Sequence, residues 1–183
     1  MYRPVNVMIL AATVVLVSTS LIHGATPPSA TVSFLEHAAE EQWMEMALGQ
    51  LATRKAADEQ VKQFGARMLE DHKKAGLELR TLVLREGIEL HAQPLERHRE
   101  LIVKLSQLSD KEFDRAYITS MLQDHAQNVK DFGQHALVGE NTEVRQWAAG
   151  ALPVLKDHLD KVKTIASSLG IEVAGPHSNK AHH

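Results

Sequence analysis

Met68-Leu69-Glu70-Asp71-His72 recurs almost unchanged as Met121-Leu122-Gln123-Asp124-His125, and more loosely as Val154-Leu155-Lys156-Asp157-His158. Each copy sits near the middle of a long amphipathic stretch. Around the first, Val61, Phe64, Met68, His72, Ala75, Leu79 and Leu82 recur in steps of three and four, which is one face of an α-helix. The second lies in the row Phe113, Tyr117, Met121, Asp124/His125, Asn128/Val129, Phe132. The third lies in Val144, Trp147, Ala151, Leu155, His158, Val162, Ile165, Leu169. A fourth stripe, Phe34, Leu35, Ala38, Ala39, Gln42, Met46 and Gly49, precedes them, with Glu45 beside it. Each of the three histidines falls on the apolar face of its stretch.

Punctuation residues bound these stretches. The first helix is expected over about 31–55, capped by Thr31 or Ser33, and the second over about 58–86, capped by Asp58 and stopped by Gly87. A short helix over about 95–107 follows Pro94. The next runs over about 110–138 with Ser109 or Asp110 as cap, and Gly139 stops it. The last starts near Asn141-Thr142 and ends at Gly170. Pro153 inside it either bends it or, with Gly150, divides it in two.

Four helices with one apolar stripe each bury their faces as a bundle. The short turns make the first and last pairs antiparallel. The connection between them has eight extended residues, at roughly 3.3 Å each, plus a helix at about 1.5 Å per residue, enough to run the bundle's length. The expectation is an all-α, ferritin-like up-down four-helix bundle over residues 31–170, with one long crossover carrying a short extra helix. The repeat at His72 and His125 fits two hairpins related by a pseudo-twofold.

Composition narrows the function. The 183 residues carry 20 basic and 23 acidic side chains, a net charge of −3, without the basic stripe a nucleic-acid partner needs. There is no cysteine, so disulfides, thiol nucleophiles, iron–sulfur clusters and a lipoprotein anchor are excluded. Residues 1–24 read as a signal peptide: Arg3, an apolar core from Val5 to Val17, then small residues. Left uncleaved, they form an N-terminal anchor, the chain's one expected contact with a membrane. Residues 25–30 read as a linker and residues 171–183 as a disordered tail. A homo-oligomer is compatible with the sequence, which names no other partner.

Glu45, His72, His125 and His158 lie near the midpoints of their helices and are expected to meet at one height in the core. Three neutral imidazoles and a carboxylate suit a divalent metal, zinc or iron(II) first. An aspartate cannot orient the histidine next to it, because adjacent helical residues point about 100° apart. Asp71, Asp124 and Asp157 can instead accept hydrogen bonds from histidines on neighbouring helices. The alternative needs no metal: a buried His/Asp network that only sets helix packing. Di-iron bundles carry Glu-x-x-His on two helices, and here Leu69, Leu122 and Leu155 occupy the matching places. Asp131 with His135, Glu89 with His91 and Glu96 with His98 read as surface pairs, and Met44, Met46, Met68 and Met121 as core filler. No acid/base pair with a substrate pocket and no phosphate loop or nucleophile motif is legible, so a non-enzymatic role is the expectation.

Several segments carry a resemblance. Phe34-Leu35-x-x-Ala38-Ala39, Glu45 through Ala52, Val61-Lys62-x-Phe64-x-x-Arg67-Met68-x-x-Asp71-His72, Phe113 through Tyr117 with Asp124-His125, and Leu152-Pro153-x-Leu155-x-x-His158-Leu159 resemble an exported bacterial family. That family is the domain of unknown function 4142, sometimes labelled an outer membrane protein. The resemblance spans roughly residues 32–168. It implies a ferritin-like bundle and a periplasmic or envelope location, carries over Glu45, His72, His125 and His158 with Asp71 and Asp124, and supplies no established activity. A role in metal handling or envelope stress follows as the expectation. The alternating strands of an outer-membrane barrel are absent from the sequence pattern.

Overall fold

A computed structural model describes residues 29–172. The signal-peptide or anchor segment 1–24, most of the linker and the tail beyond residue 172 lie outside the described residues. Five helices follow in order: α1 (Ala30–Lys55), α2 (Glu59–Arg85), α3 (Glu96–Ser106), α4 (Asp110–Val138) and α5 (Thr142–Ser168). None of them is long and apolar enough to cross a membrane.

The helix ends follow local chemistry, with differences from the sequence reading. Ser29, rather than Thr31 or Ser33, caps α1 by accepting the Val32 amide at 3.2 Å, so Ala30 belongs to the helix. Asp58 accepts the amides of Gln60 and Val61, and Asn141 that of Val144, as expected of caps. Neither Ser109 nor Asp110 caps α4 through its side chain: Ser109 holds the position without a bond, and Asp110 stands at φ 50°. Gly87 and Gly170 adopt the left-handed conformation that ends α2 and α5. Pro153 neither divides nor ends α5. The helix runs through because Pro153 and Ala149, whose carbonyl loses its partner, are both exposed to water. Ile171, at the start of the expected tail, packs against the core.

α1 packs mainly on α2 and α4 mainly on α5, and the two hairpins join through α1–α4 and α2–α5. The end contacts give the directions. Arg85, late in α2, meets Glu143, early in α5, at 2.6 Å. Phe34, early in α1, stacks on His135, late in α4. Both joining pairs are therefore antiparallel, and α2 and α4 are parallel and diagonal. The segment from Glu86 to Ser109 must then run the full length, which is the ferritin-like crossover. It is pinned at both ends: Asn141 donates to Glu86 at 3.1 Å and Lys55 to the Ser106 carbonyl at 2.7 Å. The His72/His125 repeat joins α2 to its parallel, diagonal partner α4, the pair that a twofold along the bundle axis exchanges; a twofold across that axis would pair α2 with α5 instead. What the repeat achieves is a histidine at mid-height from opposite corners.

Two contacts set how closely the helices approach. α1 and α2 cross backbone to backbone: a Cβ on Gly49 would stand 2.7 Å from the Gly65 carbonyl, and one on Gly65 would stand 2.5 Å from the Ala52 Cβ. Asp114 of α4, buried under the α1–α2 turn, accepts the amides of Ala57 at 3.1 Å and Asp58 at 2.8 Å. The apolar core comes in two parts. One, around Leu48, Phe64, Met68, Phe113, Met121 and Val162, fills the end beside that turn. The other, around Leu35, Leu79, Phe132 and Val144, fills the opposite end. Between them lies a belt of buried polar side chains.

The crossover helix corrects one expectation. Glu96 is exposed, but His98 is buried, with Nε2 3.3 Å from Oε1 of the buried Glu41. α3 packs on α1 and α4, and His98 and Leu105 form its inward row.

Candidate metal centre

The polar belt takes one residue from each long helix: Glu45 from α1, His72 from α2, His125 from α4 and His158 from α5. All are buried at 4 % exposure or less. Phe64, in van der Waals range of two of the histidine rings, and Met68 and Met121, one turn below His72 and His125, close the belt on one side. The three imidazole centroids lie 5.3 to 5.9 Å apart, and one nitrogen of each ring lies within 4.8 Å of the others.

Hydrogen bonding decides which nitrogen carries each proton. His125 Nδ1 is 3.0 Å from the Met121 carbonyl, which only accepts, so Nδ1–H donates and Nε2 keeps its lone pair. His158 Nε2 lies 2.8 Å from an Asp71 oxygen and donates to it, leaving Nδ1 with the lone pair. His72 Nδ1 donates to Gln42 Oε1 at 2.8 Å, leaving Nε2. The three remaining nitrogens, Nε2 of His72 and His125 and Nδ1 of His158, are buried and have no partner. Burial also keeps the rings neutral. It pulls His72 well below the usual histidine range, more so through His125 and His158, and pulls His125 down to about 4. Burial lowers His158 too, against the opposing pull of Asp71. Three neutral imidazoles thus present lone pairs in a space that no protein donor enters.

Of the expected acceptors, Asp71 alone reaches a histidine. Burial works to raise its pKa, but the bonds from His158 and Arg67 outweigh that and hold it below the usual carboxylate range. Arg67 Nε lies 3.1 Å from Asp71, and Nη2 lies 2.6 Å from Asp157. Asp157 pairs with Arg67 and with Lys161 at 2.9 Å, facing solvent rather than a histidine. Asp124 points to the α1 side, where burial pushes its pKa up to about 6, and its Oδ2 has no partner. Glu45 stands beside the triad, not within it: Oε1 is 3.7 Å from His125 Nδ1, the nitrogen already given to Met121. Neither of its oxygens is bonded, and burial, then Asp124 and Glu41, raises its pKa well above the usual value.

The sequence reading missed Gln42 and Arg67 as members of the site. Gln42 was visible as a polar residue on an apolar stripe, and Arg67 as the i−4 partner of Asp71. Of the weaker pairs, Asp131 is held by Gln127 and His135 stacks on Phe34, so they do not converge. Glu89 and His91 are exposed. A cleft of about 220 Å³ opens between α2 and α5 and reaches His72 and His158.

A four-helix bundle with one full-length crossover is a ferritin-like helical fold, here with a histidine triad at its centre. The domain of unknown function DUF4142 matches residues 19–165, and the chain belongs to that family. Among curated proteins none matches the sequence. Two solved structures share the fold. One, from Streptomyces coelicolor, is described as a candidate secreted protein of DUF305. It superposes with a TM-score of 0.67 at 11 % identity, over 80 % of this chain and 96 % of its own. The other, a DUF305 fragment from Deinococcus radiodurans, gives 0.66 at 14 %, over 78 % and 97 %.

Proposed function

We propose that this protein is an exported bundle that binds a divalent transition metal through His72, His125 and His158. One observation carries the reading: three buried imidazoles, each with a nitrogen within 4.8 Å of the others, keep a lone pair that no protein donor meets. Each unsatisfied buried acceptor costs about 1–3 kcal/mol, and a cation relieves all three at once. The other ring nitrogens are held by Asp71, Gln42 and the Met121 carbonyl, the arrangement that orients histidine ligands. Three neutral nitrogens with no thiolate suit zinc or iron(II). Glu45 is a reserve oxygen donor one ring away. Export is supported by the apolar N-terminal segment and by the description of one DUF305 neighbour, and the periplasm is the compartment we assign. Metal handling in the envelope is the role that fits.

The test is elemental analysis of protein isolated from its native compartment, with the terminal histidines His177, His182 and His183 removed. We expect one metal per chain in the wild type and none in His72→Ala or His125→Ala. Folded wild-type protein that takes up neither zinc nor iron(II) sinks the reading. The alternative is a packing network, favoured by the Asp71–His158 and Gln42–His72 bonds, which join helices without a metal. It predicts that His72→Ala lowers stability and leaves metal content at background.

A further inference from the structure

His37 and Glu41 stand one turn apart on α1, the spacing that puts two ligands on one helix face. Glu41 Oε1 lies 3.9 Å from His37 Nδ1 and 3.3 Å from His98 Nε2 of the crossover helix. Two ligands held about 2.1 Å from one zinc ion at a tetrahedral angle stand about 3.4 Å apart, so Glu41 and His98 are already spaced as such a pair. Burial, then Arg97 and His37, holds His98 down to about 4, so its ring is neutral. Its Nδ1 is buried without a partner, so the ring gives up nothing on that side when Nε2 turns a lone pair to an ion. The side chain of His37 is 34 % exposed, and its ring can swing toward the pair without opening the core.

We infer that His37, Glu41 and His98 form a second divalent-cation site, of the zinc class, that clamps the crossover helix α3 to α1. It is separate from the triad and does not depend on it. Two nitrogens and a carboxylate oxygen, with no thiolate, suit zinc. The surroundings favour a cation: Asp124, Glu40 and Glu45 press like charge on Glu41, against the guanidinium of the exposed Arg97. Glu45, one turn further along α1, is wholly buried with neither oxygen bonded, and Asp124 Oδ2 has no partner either. An ion here also has something to hold, because α3 buries only His98 and Leu105. The triad lies in a closed core with each ring oriented by a partner, whereas this site is partly open to water and must draw His37 in. It is therefore the weaker of the two, and zinc at about 100 times the triad's dissociation constant leaves it empty.

The experiment uses the full chain with His72→Ala, which breaks the triad, and with His177, His182 and His183 replaced by glutamine. Zinc is titrated by calorimetry, and hydrogen exchange follows the amides of α3. One ion should bind per chain, and the α3 amides should then exchange more slowly. Glu41→Gln and His98→Gln should each weaken zinc about tenfold or more, at least what the loss of an outer partner costs a metal site. His37→Gln, at a half-exposed position that leaves the core intact, should do likewise, and it carries the test if the two buried variants do not fold. If His72→Ala does not fold, the intact triad is filled with one equivalent of zinc and the second equivalent is followed. No second ion at millimolar zinc overturns the inference. So does zinc bound equally by all the folded variants, or zinc bound with α3 exchange unchanged. The triad is judged separately, on the ion that the wild type retains on isolation and His72→Ala does not.

Discussion

Asp71 decides which nitrogen of His158 faces the centre, because a carboxylate accepts and never donates. Asp71→Asn keeps the shape and removes the charge, so the ring loses orientation and basicity while the fold persists. Metal affinity, measured by competition with a chromophoric chelator, should fall about 10–100-fold. His125 supplies a pH test in metal-free protein. Burial depresses its pKa from 6.5 to about 4, so the unfolded chain binds a proton that the folded chain refuses. Its contribution is present above pH 6.5 and lost as pH falls toward 4. Glu41 and Asp124 act in the opposite sense, since burial raises them to about 7 and about 6, so the total acid response is a poor readout. The difference between His125→Gln and wild type isolates the histidine. Between pH 6.5 and 4 it should move in the variant's favour by on the order of 3 kcal/mol, followed by denaturant melts. The three histidines were legible in the sequence because a polar residue on an apolar face stands out. Their partners were not: Asp71, Asp124 and Asp157 look alike in sequence, and only the rotation of each helix about its axis separates the one that reaches an imidazole from the two that do not.

At the scale of the helix, periodicity and capping residues placed all five segments within a residue or two of where they stand. Ser29 was missed because the helix begins one turn before the first strong apolar residues. The crossing of α1 and α2 was also hidden, since Gly49 reads as one more small residue in a stripe. Replacing it should show its role. Gly49→Ala places a methyl against the Gly65 carbonyl and the Leu69 amide, both rigid backbone, and should destabilise by about 1–3 kcal/mol in urea melts despite alanine's better helix propensity. Pro153 is the converse case. Pro153→Ala restores the bond to the Ala149 carbonyl, at the cost of a more flexible unfolded chain, and should stabilise by about 1–2 kcal/mol.

Over the whole molecule, the connection lengths made the ferritin-like crossover legible, but not what lies beneath it. His98 read as surface because its own short helix says nothing of the buried Glu41 it covers. The site joins the two hairpins, with His72 from the first and His125 and His158 from the second, so a bound cation ties together halves that otherwise meet through fewer contacts than either makes internally. Saturating zinc at about 100 times its dissociation constant should therefore stabilise the fold by about 2.7 kcal/mol, and by nothing in His72→Ala, as read by thermal melts. The buried carboxylate of Asp114 carries a consequence for the order in which the chain can be finished. It closes the α1–α2 turn from 56 residues further along. A chain synthesised from its N-terminus leaves the turn amides of Ala57 and Asp58 to water until α4 brings Asp114 to them. The first hairpin is therefore completed by a residue of the second, and Asp114→Asn should loosen the α1–α2 turn rather than α4 itself.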